Sequence, residues 1–283
     1  ARVAVRPSRS CIVGAFFRGA CGASHAPNHP VPSVSRKPSM PAARTAVCLT
    51  YPDCAQAIPA QAVMLDLDGT LVNTLGDFDL ALNNMLAEQG WPRVEPAFIA
   101  RTVGKGSPYL IRQTLLHLGL GKNGMVNGEL DEALYEQAHA SYQQHYHRIN
   151  GQASHLYPGV QQGLEQLHAA GLPLACITNK PTQHASALLQ TLGVVHYFAC
   201  VHGGDAFARR KPDPLPLIET ARILGCAPAQ ALMIGDSVND SEAAHGAGSP
   251  VLLVRYGYNH GNPIEGVPAQ GYLHSLADLR CVS

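Results

Sequence analysis

The chain has 283 residues, in which 20 lysines and arginines balance 20 aspartates and glutamates. Its length is sufficient for one large or two small hydrophobic cores, and 46% apolar residues are typical of a globular protein. No run of about 18 apolar residues is present that could cross a bilayer, and the neutral charge lacks the basic excess that non-specific nucleic-acid binding requires. We therefore expect neither a membrane nor a nucleic acid as a partner.

The first 60 residues differ in composition from the rest. They carry seven basic residues, one acidic residue and eight of the 21 prolines. Because no helical or strand period runs through them, the sequence predicts a disordered, dispensable extension over residues 1–60. Their arginine-rich composition resembles an organelle transit peptide, and we rank translation from too early a start, with Met40 as the alternative first residue, above that targeting role.

From Gln61 onward, short apolar runs alternate with stretches of helical period. This alternation is typical of βα repeats around a parallel sheet. We therefore predict a doubly wound, Rossmann-like α/β core comprising residues 61–74 and 157–283. Its five predicted strands are residues 62–67, 173–177, 198–202, 231–234 and 251–254.

About a hundred residues separate the first two predicted strands, which is more than a crossover requires. The intervening residues have apolar positions at helical spacing, with one helix expected to begin at Ser107 and Pro108. We therefore expect an inserted all-helical cap domain over residues 75–156.

The eight cysteines include no Cys-x-x-Cys pair, and the chain is larger than the small secreted domains that depend on disulfides. Cys176 and Cys200 lie in apolar segments, where thiols usually pack as small apolar groups. The sequence therefore predicts reduced cysteines and a cytoplasmic location.

Polar residues directly follow the predicted strands. Since ligands bind at the carboxyl ends of the strands in such sheets, folding would bring four carboxylates and one ammonium to one edge. Carboxylates this close repel one another unless a cation lies between them, and an all-oxygen set favours Mg²⁺. The residues are Asp66 and Asp68 after the first strand, Thr178 and Asn179 after the second, Lys211 beyond the third, and Asp236 and Asp240 after the fourth.

These motifs resemble the haloacid dehalogenase superfamily, in which a strand ending Asp-x-Asp-Gly-Thr precedes a strand-end Ser or Thr, a Lys and a late Gly-Asp-x-x-x-Asp. The resemblance covers about residue 62 to the C-terminus. It implies that Asp66 attacks phosphorus to form an aspartyl phosphate and that Asp68 serves as acid and base.

The same resemblance implies ligand roles for the other strand-end residues. Mg²⁺ would be held by Asp66, the Asp68 carbonyl and Asp236, with Asp240 in or near the shell. Thr178, the amide of Asn179 and Lys211 would hold the phosphoryl group of a small phosphorylated metabolite.

Finer motifs, such as Thr-Asn-Lys-Pro at residues 178–181, resemble the phosphoglycolate phosphatases of that superfamily. The leading hypothesis is hydrolysis of 2-phosphoglycolate. Another small phosphate ester and a sugar-phosphate mutase remain alternatives. A receiver-like signalling module is a remote one, because Asp68 would speed the loss of a stored phosphoryl group and receivers have no cap. A monomer and a homodimer remain equally open.

Two further features concern the hinge and the inside of the cap. Asn73-Thr74 stands where the family usually has Asp-Ser, so a carboxylate is lost near the cap hinge. The segment from Arg101 to Gly106 contains two cations and two glycines before a helix start. We therefore predict that Arg101 and Lys105 bind the carboxylate of the substrate.

Overall fold

The computed structural model describes residues 46–52, 56–121 and 129–282. The expectation for residues 1–45 lies outside these ranges. The strands within them are β1 Val47–Thr50, β2 Ile58–Ala60, β3 Ala62–Leu65, β4 Val72–Asn73, β5 His155–Leu156, β6 Leu174–Ile177, β7 Phe198–His202, β8 Ala231–Gly235, β9 Val251–Val254, β10 Gly271–Leu273 and β11 Arg280–Val282. The α-helices are α1 Leu75–Glu88, α2 Pro96–Thr102, α3 Ser107–His117, α4 Glu132–Ile149, α5 Val160–Ala169, α6 Thr182–Thr191, α7 Leu215–Leu224 and α8 Val238–Ala247.

A six-stranded parallel sheet with the order β10-β9-β8-β3-β6-β7 forms the centre of the fold. Alternate side chains of its central strand point to opposite faces: Val63 and Leu65 pack with α5 and α6, whereas Ala62 and Met64 pack with α7 and α8. The prediction of a doubly wound α/β core is thus confirmed, and β10 adds a sixth strand at one edge.

A second, antiparallel sheet with the order β11-β1-β2 packs against the α5 and α6 side of the core. It contains residues from the segment that the sequence analysis expected to be disordered. Leu49 and Ala60 are completely buried in the same apolar cluster as Leu65. The prediction of disorder is therefore wrong for residues 47–50 and 58–60. These strands are too short to show a period, and β1, which pairs with β2 on one side, pairs on the other with β11, more than two hundred residues later.

Removal of residues 1–60 is therefore expected to destabilise the protein. Loss of β1 and β2 would expose the cluster around Leu49, and deletion of one large buried side chain alone typically costs about 2–5 kcal/mol. We expect a chain starting at Gln61 to have a lower free energy of unfolding than one starting at Ala46, measured by urea titration. Equal stability of the two chains would show that the small sheet contributes nothing.

Four helices, α1 to α4, lie in the chain between β4 and β5, and these two short strands pair with each other where the chain leaves and re-enters the core. The helices bury an apolar cluster of their own, which includes Leu82, Ile111 and Tyr142. Helix α2 has only seven residues, which are too few to show a clear helical period in the sequence. Within the described ranges, no helix has the length and apolar character of a membrane span.

A buried carboxylate fastens the base of this helical cap. Asp77, which is completely buried, accepts hydrogen bonds from Gly151 N at 2.6 Å, Ala153 N at 2.7 Å and Ser154 Oγ at 2.5 Å. Asn73 Oδ1 accepts from Leu75 N at 3.3 Å and from the Tyr258 hydroxyl at 3.3 Å. The Asn73 side chain thus binds the first residue of α1 and the Tyr258 hydroxyl of the core.

Candidate active site

Asp66 and Asp68 follow the central strand β3, at the carboxyl edge of the parallel sheet. Both residues are buried. The backbone hydrogen bonding between β3 and β8 continues to Asp66, whose N–H donates to Ile234 O at 2.9 Å. The turn after them requires glycine: Gly69 has a φ of +88°, and a Cβ there would collide with the Asp236 carboxylate. This close approach brings the ends of β3 and β8 together.

Lys211 joins two of the predicted carboxylates. Its Nζ lies 2.8 Å from Asp66 Oδ1 and 2.7 Å from Asp240 Oδ1, and it donates to Ile177 O at 2.7 Å. Burial alone would lower the pKa of Lys211, but the charges of Asp240 and Asp66 raise it above its ordinary value. Lys211 is therefore a permanently charged ammonium at the reaction edge.

Asp240 is held at the start of α8. Its Oδ2 accepts from Ser237 Oγ at 2.8 Å and from the amides of Asp236 and Ser237, each at 3.2 Å. Since Lys211 binds its other oxygen, both carboxylate oxygens of Asp240 already have protein donors. Asp236 is less fully bonded: its Oδ2 accepts from Tyr258 N at 2.7 Å.

The carboxylates strongly influence one another. Burial raises the pKa of Asp66 to about 7, with the charge of Lys211 opposing the rise and that of Asp240 adding to it. Burial, together with the charges of Asp240 and Asp66, also raises the pKa of Asp236 well above its ordinary value. One lysine therefore compensates the negative charge here only in part.

This edge fits a divalent cation. Asp66, Asp236 and Asp240 each offer an oxygen within 4.8 Å of the others, and all three are buried. A donor set of oxygens alone suits Mg²⁺ better than a transition metal. The Asp68 carboxylate, by contrast, lies outside this group. The group of Asp68 that could bind a metal is therefore its backbone carbonyl, as the sequence analysis expected.

The Asp68 carboxylate instead pairs with Lys180. The Lys180 Nζ donates to Asp68 Oδ1 at 2.7 Å, and both side chains are nearly inaccessible to solvent. The ammonium also lies 4.6 Å from the ring centre of Phe78 and 4.9 Å from that of Tyr146, both in the cap. Lys180 therefore connects the acid–base candidate of the core with the aromatic inner surface of the cap.

Thr178 and Asn179 lie at the end of β6 and face the same cavity as Asp66 and Asp68. The Asn179 side-chain amide donates to Lys211 O at 2.9 Å and to Gly104 O, in the cap, at 3.0 Å. Thr178 Oγ1 accepts from Lys180 N at 3.2 Å. All the core residues that the sequence predicted thus meet at one sheet edge.

The cavity itself, about 520 Å³ including space open to solvent, lies between this edge and the cap. The α2–α3 segment lines it through Val103, Gly104, Gly106 and Ser107. Arg101 and Lys105, which the sequence predicted in the substrate site, are not among its lining residues.

Arg101 and Lys105 contact other residues. Arg101 is exposed on α2 and packs beside Gly261, whereas Lys105 lies 5.1 Å from the ring centre of Tyr109. Val103, Gly104 and Gly106 of this segment line the cavity, whereas its two charged residues do not. The structure therefore does not bring Arg101 or Lys105 to Asp66 and Asp68.

Sequence reasoning gave no role to three residues at this site: Lys180, Tyr146 and Tyr258. The Tyr258 hydroxyl accepts from Thr74 N at 2.8 Å, while its own N–H binds Asp236, so it ties the cap hinge to the acidic cluster. Lys180 directly follows the predicted Thr178 and Asn179, which was a usable signal. Tyr146 showed only the helical spacing of a core residue.

Comparison with known proteins agrees with this geometry. The family model described as haloacid dehalogenase-like hydrolase matches residues 63–254. The chain belongs to this family, which confirms the resemblance seen in its motifs.

The names of individual relatives give a particular phosphatase activity within this family. A phosphoglycolate phosphatase of Thiobacillus denitrificans is 42% identical over 221 residues, covering 78% of this chain and 94% of the relative. One from Aliivibrio fischeri is 41% identical over 202 residues, covering 71% and 87%. The crystal structure of a predicted phosphoglycolate phosphatase from Haemophilus somnus is 33% identical, with a TM-score of 0.72, and covers 77% of this chain and 96% of that one.

Proposed function

We propose that this protein hydrolyses 2-phosphoglycolate to glycolate and phosphate through an aspartyl phosphate on Asp66. The chain is a phosphoric monoester hydrolase, given its hydrolase family and its similarity to proteins named phosphoglycolate phosphatase. The observation that carries the mechanism is the arrangement of Asp66 against Lys211, with Asp68 two residues away at the same cavity.

In the first step, an Asp66 oxygen attacks phosphorus, and the bond between phosphorus and the ester oxygen breaks. Asp68 gives its proton to that oxygen, so glycolate leaves without forming an alkoxide. Lys211 neutralises charge shared by Asp66 and the phosphoryl oxygens, and Thr178 with the amide of Asn179 hold the phosphoryl group. The product is a phosphorylated Asp66.

In the second step, Asp68 takes a proton from water, and the water oxygen attacks phosphorus. The bond between phosphorus and Asp66 breaks, which releases phosphate and restores both aspartates to their starting states. Asp66 and Asp236 would hold Mg²⁺ directly with the Asp68 carbonyl, while Asp240, whose oxygens already have protein donors, keeps Lys211 in place. When bound, the cation would offset negative charge on the transferring phosphoryl group.

Asp68→Asn is expected to lower kcat for phosphoglycolate by roughly 10²- to 10⁴-fold, because the general acid and base is lost. With 4-nitrophenyl phosphate the leaving group needs no proton, so the variant should release nitrophenolate in a burst stoichiometric with enzyme, followed by slow turnover. Stopped-flow absorbance measures this burst. Asp79→Asn, on α1 and outside the cavity lining, is the control, and wild-type turnover by Asp68→Asn would contradict the role.

The substrate is tested with a panel of small phosphate esters and detection of free phosphate. We expect the highest kcat/KM for 2-phosphoglycolate. A higher value for another ester would replace the proposed substrate, and isomerisation of a sugar phosphate without phosphate release would indicate a mutase.

We further propose that the enzyme works in a reducing, cytoplasmic environment on a small phosphorylated metabolite. Support comes from Cys176, which is completely buried in the apolar cluster beneath the sheet. Burial raises the pKa of the Cys176 thiol beyond its ordinary value, so this residue is an apolar core group.

A further inference from the structure

The cavity has a second polar region beside the phosphoryl-binding edge, formed by Lys180 and Tyr146. Of the described residues that line the cavity, Lys180 is the one lysine or arginine. Its ammonium carries three N–H groups, and the described residues accept one hydrogen bond from them, at Asp68. The ring centres of Phe78 and Tyr146 lie 4.6 Å and 4.9 Å from the ammonium and form no hydrogen bond of the ordinary kind with it. This cation therefore retains donors for a ligand.

The Tyr146 hydroxyl points to the same conclusion independently. Tyr146 is 2% exposed, it lines the cavity, and its Oη has no hydrogen-bond partner among the described residues. Burial raises its pKa well above the ordinary value, so the hydroxyl keeps its proton at neutral pH and can donate. A buried hydroxyl without a partner is costly, and a ligand oxygen at this position would supply the missing acceptor.

We infer that Lys180 and Tyr146 bind the carboxylate of the substrate, so that the enzyme selects phosphate esters with a carboxylate close to the ester oxygen. This inference rests on the proposed function. The ester oxygen must approach Asp68 to receive its proton, and Lys180 Nζ lies 2.7 Å from Asp68. In phosphoglycolate a single methylene separates that oxygen from the carboxylate carbon, so the anionic group falls within reach of Lys180.

This assignment replaces the one made from sequence. Arg101 and Lys105 carry the right charge but lie outside the cavity lining, whereas Lys180 lies inside it. Phe78, whose ring centre lies 4.6 Å from the Lys180 ammonium, and Leu110 add apolar surface to the cavity lining, which suits the methylene of the substrate.

The test compares phosphoglycolate with 2-hydroxyethyl phosphate, which has a hydroxymethyl group in place of the carboxylate. We expect Lys180→Met to lower the ratio of the two kcat/KM values, phosphoglycolate over hydroxyethyl phosphate, by about 10- to 100-fold, as for a hydrogen bond to a charged group. Tyr146→Phe, which removes one oxygen and keeps the ring, should lower the same ratio by about 10-fold. The ratio separates carboxylate binding from support of Asp68, which would affect both esters equally.

Arg112→Met is the matched control. Arg112 also pairs with a carboxylate, Glu132, at 2.7 Å and lies 3.8 Å from the ring centre of Tyr135, but on the outer surface of the cap. The ratio of the two kcat/KM values in Arg112→Met should equal that of the wild type. If Lys180→Met does not fold, Tyr146→Phe alone decides the outcome.

An unchanged ratio in both cavity variants, or equal wild-type efficiency on the two esters, would overturn the carboxylate site while leaving the phosphatase activity intact. Failure of the proposed function has a different signature. In that case the wild type would prefer another ester over phosphoglycolate. If that ester carries a carboxylate and Lys180→Met abolishes the preference for it, the result would still support the carboxylate site.

Discussion

Asp66→Asn is expected to abolish phosphate release from phosphoglycolate, by about 10⁴-fold or more, because an amide oxygen cannot serve as the attacking group. The fold should survive the change. Lys211 keeps its contacts with Asp240 and Ile177, and the raised pKa of Asp66 means that its ionised form is less stable in the folded protein than in the unfolded chain. At neutral pH in metal-free protein, the melting temperature should therefore stay equal or rise.

Steady-state phosphate release and a thermal melt on the same preparation measure both effects. Asp213→Asn, two residues after Lys211, is a suitable control: Asp213 pairs with Arg209 and accepts a hydrogen bond from Leu215 N at 2.9 Å, which the asparagine side-chain oxygen can also accept. Substantial activity in Asp66→Asn would contradict covalent catalysis. A large fall in melting temperature would show that the Asp66 carboxylate stabilises the fold, contrary to its pKa.

Removal of divalent cations is expected to reduce activity to background, because the carboxylates of Asp66 and Asp236 would then repel the incoming phosphate ester. Mg²⁺ should restore turnover fully. The measurement is phosphate release from chelator-treated enzyme during titration with each metal. Undiminished turnover after thorough chelation would contradict a metal-dependent site.

Ca²⁺ should bind without restoring activity. It accepts six to eight oxygen ligands, whereas Mg²⁺ requires a compact octahedron. The larger shell can take both oxygens of Asp66 and leave no free oxygen to attack phosphorus. Competition of Ca²⁺ against Mg²⁺ in the titration would show that the two ions share one site, and full activity with Ca²⁺ alone would refute this explanation.

The parallel core and its acidic edge were predictable because each depends on local sequence. An apolar run of four to six residues specifies a buried strand, and the residue after it must lie at the sheet edge, as Asp66 and Asp236 do. The small antiparallel sheet could not be predicted in this way. Its β1 pairs with β11, and neither short strand has an alternating pattern of its own.

The cap illustrates a second limit of sequence reasoning. Arg101 and Lys105 have the charge that a carboxylate requires, but sequence does not show which way a side chain points from a glycine-containing segment. Gly104 lines the cavity and its carbonyl accepts a hydrogen bond from Asn179, whereas Arg101 and Lys105 are not among the lining residues. Lys180 was visible beside Thr178, but its contact with the cap rings depends on how two separate parts of the chain pack.

The stereochemical course at phosphorus tests the central claim most directly. The substrate is a glycolate phosphorothioate made chiral at phosphorus with oxygen isotopes, hydrolysed in isotopically labelled water. Two successive in-line displacements, first by Asp66 and then by water, each invert phosphorus, so we predict thiophosphate with net retention of configuration. Net inversion, the result of a single direct attack by water, would contradict the aspartyl phosphate on Asp66.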